Sequence, residues 1–145
     1  MISAAPDPQP VCRTLRRLRN DLTMIGRTMD RPFSAPMVTS LAQTAERAAT
    51  EIAAYLRQSA AALAGREKSP PLEAVEQALA NHATAMTQAR RAGTTRALSD
   101  ELVGRIFGLA FGFEQLHENL KDLAARIDEY AGFAPTNRHW TAPNQ

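Results

Sequence analysis

The sequence predicts an all-α fold, an antiparallel up-down-up-down four-helix bundle with two long and two shorter helices. Of the 145 residues, 44% are hydrophobic but only 6% are aromatic, and β-branched runs are missing, which favours helices over strands. Apolar residues recur at alternating steps of three and four, the spacing of a helix with one buried face. Short turns rich in proline or glycine separate these segments, and helices joined by short connections pack as antiparallel neighbours.

The first helix is predicted over residues 11–30, after a flexible linker at residues 1–10 that holds three prolines and no apolar period. The segment DRPFSAP ends this helix, because proline lacks an amide N–H and disfavours a helical residue before it. One apolar row runs along the helix, and we expect all of it to face the core. Its members are Val11, Leu15, Leu18, Leu22, Ile25 and Met29.

The second and third helices are predicted over residues 35–64 and 71–92. Ser34 is the expected N-cap of the second, and Gly65 and Gly93 are expected to end the two helices, because glycine readily adopts the left-handed conformation found there. The expected core row of the second helix is Val38, Leu41, Ala45, Ala48, Ile52, Tyr55, Ser59 and Ala62. That of the third is Leu72, Val75, Leu79, His82, Met86 and Ala89, with His82 buried and hydrogen-bonded.

The fourth helix is predicted over residues 99–131, with Ser99 as its N-cap and Gly132 at its end. The four helices form one domain at residues 11–132, and residues 133–145 are expected to be a flexible tail. The core row of this helix has the most regular spacing in the chain. It comprises Leu102, Ile106, Leu109, Phe113, Leu116, Leu120, Leu123, Ile127 and Tyr130.

The stretch GRIFGLAFGF, residues 104–113, is unusual for a helix because glycine costs about 1 kcal/mol relative to alanine. The core row of the fourth helix predicts that all three glycines of this stretch, including Gly112, and two of its phenylalanines point outward. The rest of the chain could cover this outward side. Alternatively, it is a docking surface, where glycines admit a second backbone and phenylalanines supply apolar area. The candidate interface residues are Gly104, Phe107, Gly108 and Phe111.

Six arginines lie between residues 11 and 31, against two aspartates, although the net charge of the whole chain is only +2. That net charge is too small to indicate a nucleic-acid partner. A solvated basic face is the plain interpretation, and inward-pointing arginines in the pocket of a small enzyme are a weaker one. Close to a membrane, the same face would attract anionic lipid head groups. The candidate basic face comprises Arg13, Arg16, Arg17 and Arg19.

We expect no catalytic, cofactor-binding or metal-binding residues, and no enzyme activity. Nucleophile motifs and glycine-rich phosphate loops are missing, and the three histidines are scattered without ligand spacing. Cys12 is the single cysteine, so an intrachain disulfide is impossible. The longest apolar run, residues 106–113, is far shorter than the roughly 20 residues of a membrane span, and the chain is expected to be soluble.

Two segments resemble a known family. LRRLRNDLTMIGR (residues 15–27), followed by a proline-containing turn, resembles the region after the membrane helices of fusaric-acid-resistance proteins, the aromatic acid exporters of bacterial inner membranes. GLAFGFEQLHENLKDLAARI (residues 108–127) resembles the end of the same region. The resemblance implies a non-catalytic domain on the cytoplasmic face of that membrane, belonging to a protein that exports aromatic acids or toxic compounds.

The resemblance also implies the partners: the membrane domain of the same protein or a second copy of the chain. Because this sequence predicts no membrane helix, the transport path would lie outside it, and the domain would act in assembly or regulation. Two other functions remain open. One is a free-standing interaction or dimerisation module, and the other is a small helical enzyme that binds an anionic substrate.

Overall fold

The computed structural model describes residues 4–31 and 39–133. It contains four α-helices of 21, 27, 19 and 32 residues, which confirms the predicted all-α fold with two long and two shorter helices. No strand occurs in the described ranges. The helices are α1 (Gln9–Met29), α2 (Thr39–Gly65), α3 (Glu73–Arg91) and α4 (Asp100–Ala131), with a short 3₁₀ turn at Thr94–Ala97 before α4.

The ends of the helices agree with the predicted boundaries to within a few residues wherever they are described. Helix α1 begins two residues early because Pro10 suits the first helical turn, where its missing amide N–H costs nothing. The Ser99 hydroxyl caps α4 by accepting a hydrogen bond from the Leu102 amide. The expected start of the second helix at Ser34, its core residue Val38 and the tail from residue 134 onward lie outside the described residues.

Glycine takes the left-handed conformation after two helices as predicted, but not at the end of α2. Gly93 and Gly132 adopt φ values of +69° and +88° at the ends of α3 and α4, in the left-handed region that favours glycine. Helix α2 does end at Gly65, but the left-handed conformation expected of this glycine is wrong. Arg66 takes the left-handed conformation, with φ +51°, and the Glu67 amide donates back to the Ala62 carbonyl. The helix therefore runs through Gly65 and reverses one residue later.

The closest packing joins α1 to α4 and α2 to α3. Helices α3 and α4 are antiparallel, because Glu76 near the start of α3 meets His117 while Arg90 near its end meets Phe107. The core row predicted for α4 is buried from Ile106 to Ile127, with Leu116 and Leu120 fully enclosed. In α2, every predicted core residue that the structure describes is buried, among them Ala45 and Ala48. Because alanines line this side of α2, the helices can approach one another closely.

The predicted core row of α1 is wrong at two positions. Leu15 and Leu22 are 43% and 37% exposed, whereas Thr14 is only 1% exposed. Val11, Leu18 and Ile25 are buried as expected. The buried side of α1 is therefore turned away from Leu15 and Leu22 and towards Thr14.

Polar contacts between α1 and α4 explain this rotation. The Thr14 hydroxyl and the Arg17 guanidinium both donate to the Asp122 carboxylate of α4. A second contact lies one turn after Arg17 on α1 and one turn before Asp122 on α4: the Asn119 side-chain amide donates to Asp21. The Thr14 hydroxyl also lies 3.2 Å from the Pro10 carbonyl of its own helix, but the Asp122 contact is the shorter one, and the packing that makes it leaves the two leucines half-exposed.

Candidate functional site

The side of α4 that carries two phenylalanines and two glycines is open to solvent. Phe111 and Phe107 are 59% and 38% exposed. A Cβ atom built on Gly104 or Gly108 would meet no other heavy atom within 4 Å. We call these four residues the α4 face. The part of the chain that the structure describes therefore leaves the predicted interface residues uncovered.

Gly112 was also expected to point outward, and that prediction is wrong. The residue is buried against α1, and a Cβ atom built on it would lie 3.0 Å from Cγ1 of Ile25. The buried surface of α4 is wider than its core row because α1 packs against one flank of that row. Of the three glycines, this one serves the contact between helices inside the chain.

Arg105, the one charged residue of the stretch, binds the end of α1. Its guanidinium donates to the backbone carbonyls of Thr28 and Arg31, at 2.8 and 2.6 Å. The last carbonyls of a helix have no partner within the helix and carry partial negative charge, so a guanidinium is a fitting cap. The Arg105 charge therefore points away from the α4 face.

A groove of about 230 Å³ lies between α3 and α4, on the side of α4 next to its open face. Its apolar lining includes Leu79, Met86 and Phe113. At one end, the Arg90 guanidinium lies 4.7 Å from the centre of the Phe107 ring. We call this feature the α3–α4 groove.

His82 lines the α3–α4 groove and is only 4% exposed. Its Nδ1 atom lies 2.8 Å from the Thr44 hydroxyl of α2, and its ring meets that of Phe113 edge to face at 5.4 Å. The prediction of a buried, hydrogen-bonded histidine is thereby confirmed. Among the described residues, its Nε2 atom has no hydrogen-bond partner. Burial lowers the pKa of His82, because the interior disfavours the charged ring.

The arginines predicted to form a basic face are all exposed on α1. Arg17 is the one that Asp122 binds, which leaves Arg13, Arg16 and Arg19 on the solvent side of the helix. None of the four lines the α3–α4 groove or the groove between α1 and α2. The convergent cationic pocket that a small enzyme for anions would need is therefore not built from these residues.

Two further features bear on the sequence expectations. His117 forms a 3.0 Å contact with the Glu76 carboxylate across α3 and α4, a pairing that its sequence neighbours do not indicate. Over residues 4–31 and 39–133, no group of histidine, cysteine and acidic residues is arranged to hold a metal ion. Within the same ranges, no helix combines the length and the apolar character that crossing a membrane requires.

Comparisons with models of known protein families, with curated proteins and with solved structures gave no match to this chain. The resemblance to the fusaric-acid-resistance proteins therefore stays a prediction. The geometry of the described residues has to support any functional proposal.

Proposed function

We propose that this chain is a non-catalytic helical module that associates with a second copy of itself through the α4 face. The observation that carries the proposal is the exposure of Phe107 and Phe111 beside two glycines whose Cβ positions are empty. Exposed phenylalanine supplies apolar area for binding, while glycine leaves a hollow in the helix surface. The α4 face therefore carries both protruding phenylalanine side chains and recesses beside its glycines.

The spacing of the four residues makes the α4 face complementary to itself. Consider two antiparallel copies of α4 related by a two-fold axis between Phe107 and Gly108. Phe111 of each copy then lies opposite Gly104 of the other, and Phe107 meets Phe107 of the other copy beside the axis. A two-fold contact must pair residues reciprocally in this way. One position of the axis therefore places both Phe111 side chains against a glycine of the other copy.

The charged groups near the α4 face permit this contact between two copies, and its small buried area makes the contact weak. Residues 106–113 carry no charge, although the Arg90 guanidinium lies 4.7 Å from the centre of the Phe107 ring and would be partly dehydrated when two copies meet. Glu101 of one copy would lie level with Glu114 of the other but on the opposite edge of the contact, and Arg31, 3.5 Å from Glu101, offsets part of its charge. One face of about three helical turns is small beside the ~800 Å² per partner of a standard interface. We therefore expect a reversible dimer.

The proposal is tested by analytical ultracentrifugation of the purified chain over a wide concentration range. The wild type should form dimers as concentration rises, and Phe111→Asp should stay monomeric with unchanged helical content, because the new charge would be buried at the contact. Ala125→Asp is the matched control, since it adds the same charge at an exposed position in the second half of α4. A monomeric wild type, or equal dimerisation of both variants, would refute the proposal.

A second variant separates association from folding. Gly104→Ala should stabilise the monomer by about 1 kcal/mol through helix propensity, because the added methyl group meets no neighbour. The same methyl group would fill the hollow opposite Phe111 of the second copy, so dimerisation should weaken. A variant that is more stable yet dimerises as well as the wild type would show that the glycine is not part of the interface.

We also propose a second candidate: a cytoplasmic domain of an exporter-like inner-membrane protein, whose membrane part would dock on the α4 face. The exposure of Arg13, Arg16 and Arg19 on one helix favours it, because each basic residue near an anionic membrane contributes about 1 kcal/mol to binding. The chain should then bind phosphatidylglycerol vesicles but not phosphatidylcholine vesicles.

Changing those three arginines to glutamine should abolish vesicle binding. The control replaces three exposed arginines of α2 and α3 instead, so that the net charge changes equally; these are Arg47, Arg57 and Arg91. Equal loss of binding in both triple variants would mean that net charge alone acts, which would remove the case for a dedicated basic face.

A further inference from the structure

We infer that the α3–α4 groove is a binding site for a small uncharged molecule, a single ring with one hydroxyl group, which donates a hydrogen bond to Nε2 of His82. The inference does not depend on the dimer, although Phe107 belongs both to the groove and to the α4 face. It rests on a buried polar atom that has no hydrogen-bond partner within residues 4–31 and 39–133 and lies at the wall of an apolar groove. An unpaired buried polar group costs folding free energy, so a fold that keeps one in a groove has a place for a ligand to pair with it.

The hydrogen-bond network around His82 decides which group the ligand must bring. The Thr44 hydroxyl lies 3.0 and 3.1 Å from the backbone carbonyls of Ser40 and Leu41 and 2.8 Å from Nδ1 of His82. The contact with His82 is compatible with either tautomer of the ring, and we assign the hydroxyl hydrogen to the helix carbonyls, so that the hydroxyl oxygen accepts from Nδ1–H. In this neutral tautomer Nε2 carries a lone pair and no hydrogen. The missing partner is therefore a donor, as an alcohol or phenol hydroxyl is.

The size and lining of the groove determine how large the ligand is and what chemical character it has. A cavity of about 150 Å³ lined by apolar side chains holds benzene, so a groove of about 230 Å³ suits one ring with a small substituent. Its aromatic lining, Phe107 and Phe113, favours ring contacts. Arg90 and Glu114 bring one charge of each sign to the groove, so its lining favours an uncharged ligand over an anion.

A side chain has to move before the ligand reaches Nε2, because that atom lies behind the groove surface, out of contact with solvent. Met86 is suited to this movement. It lies one turn beyond His82 on α3, lines the same groove and has an unbranched, flexible side chain. The site therefore opens by a change of side-chain rotamer.

The experiment titrates the full chain with phenol and with toluene, which share the ring but differ in the hydroxyl group. We expect saturable phenol binding with a Kd on the order of 1 mM, as befits a ligand of this size. His82→Phe keeps the ring contact with Phe113 and removes the acceptor. The preference for phenol over toluene should fall about tenfold in this variant, the effect of one buried hydrogen bond.

Two further variants, Ala83→Phe and Ala74→Phe, test whether phenol binds in the α3–α4 groove. Ala83 lines the groove, whereas Ala74 is an exposed residue near the start of the same helix and outside the groove. Only the first variant should abolish phenol binding. In the wild type, the ¹⁵N resonance of His82 Nε2 should shift on adding phenol and not on adding toluene. This measurement needs no variant, so it tests the proposal even if His82→Phe does not fold.

Four results would overturn the inference. They are no saturable phenol binding, an unchanged phenol preference in folded His82→Phe, equal effects of the two alanine variants, and tighter binding of benzoate than of phenol. The last result would show that the groove selects an anion, in conflict with the neutral donor that the Thr44 and His82 geometry calls for.

Discussion

Replacing Gly108 and Gly112 by alanine should move the free energy of unfolding in different directions, although the two residues are one turn apart. Both lie inside α4, where alanine is favoured over glycine by about 1 kcal/mol. At Gly108 the new methyl group meets nothing within 4 Å, so the full gain should appear. At Gly112 it would lie 3.0 Å from Cγ1 of Ile25, and either the side chain or α1 has to move.

Ile25 has little room to move because it is buried and its branched Cβ restricts its rotamers. Inserting a methyl group into a packed core costs about 1–3 kcal/mol, so Gly112→Ala should be neutral or destabilising by up to about 2 kcal/mol after the helix gain. The two variants should therefore differ in unfolding free energy by about 1–3 kcal/mol.

The measurement is urea unfolding followed by circular dichroism, at a concentration low enough to keep the chain monomeric. Gly26→Ala is the control, because Gly26 lies inside α1, also meets nothing within 4 Å and is remote from the α4 face in sequence. It should behave like Gly108→Ala. If Gly112→Ala is as stable as the other two variants, the close contact between α1 and α4 at Ile25 is wrong.

Three further predictions test the core, the cap of α1 and the buried histidine. Leu18→Ala should cost about 2–5 kcal/mol of unfolding free energy, whereas Leu15→Ala should cost less than about 1.5 kcal/mol because Leu15 is 43% exposed. Urea unfolding measures both costs, and equal values would mean that Leu15 is buried as the sequence predicted. Arg105→Gln should lose about 1–2 kcal/mol and increase amide hydrogen exchange at the end of α1, because two carbonyls lose their donor; unchanged exchange there would contradict the cap. Burial lowers the pKa of His82 below its ordinary 6.5, so the unfolded chain takes up the proton first and stability should fall as pH drops below about 6.5. His82→Phe should remove that part of the pH dependence of unfolding, and an identical pH profile would show that His82 does not titrate in this way.

The α4 face shows how far sequence reasoning reaches at the candidate site. The core row of α4 predicts which residues point outward, and Phe107, Phe111, Gly104 and Gly108 do so. The same reasoning fails for Gly112, because a helical wheel places residues around one axis and says nothing about a neighbour on the flank. The α3–α4 groove was not predicted at all. The contacts of His82 at this groove join three helices, with Thr44 from α2 and Phe113 from α4, and their meeting is a property of the packing.

The sequence by itself determined the helices of this protein, the buried rows of α2 and α4, and an apolar outward side on α4. These depend on local spacing, since burying one stripe of a helix requires apolar residues at steps of three and four. Tertiary structure alone decided the rotation of α1. Leu15 and Thr14 are adjacent, and which of them is buried depends on whether α4 presents a partner for the hydroxyl. Asp122 does so from more than a hundred residues away, a separation that no local pattern encodes.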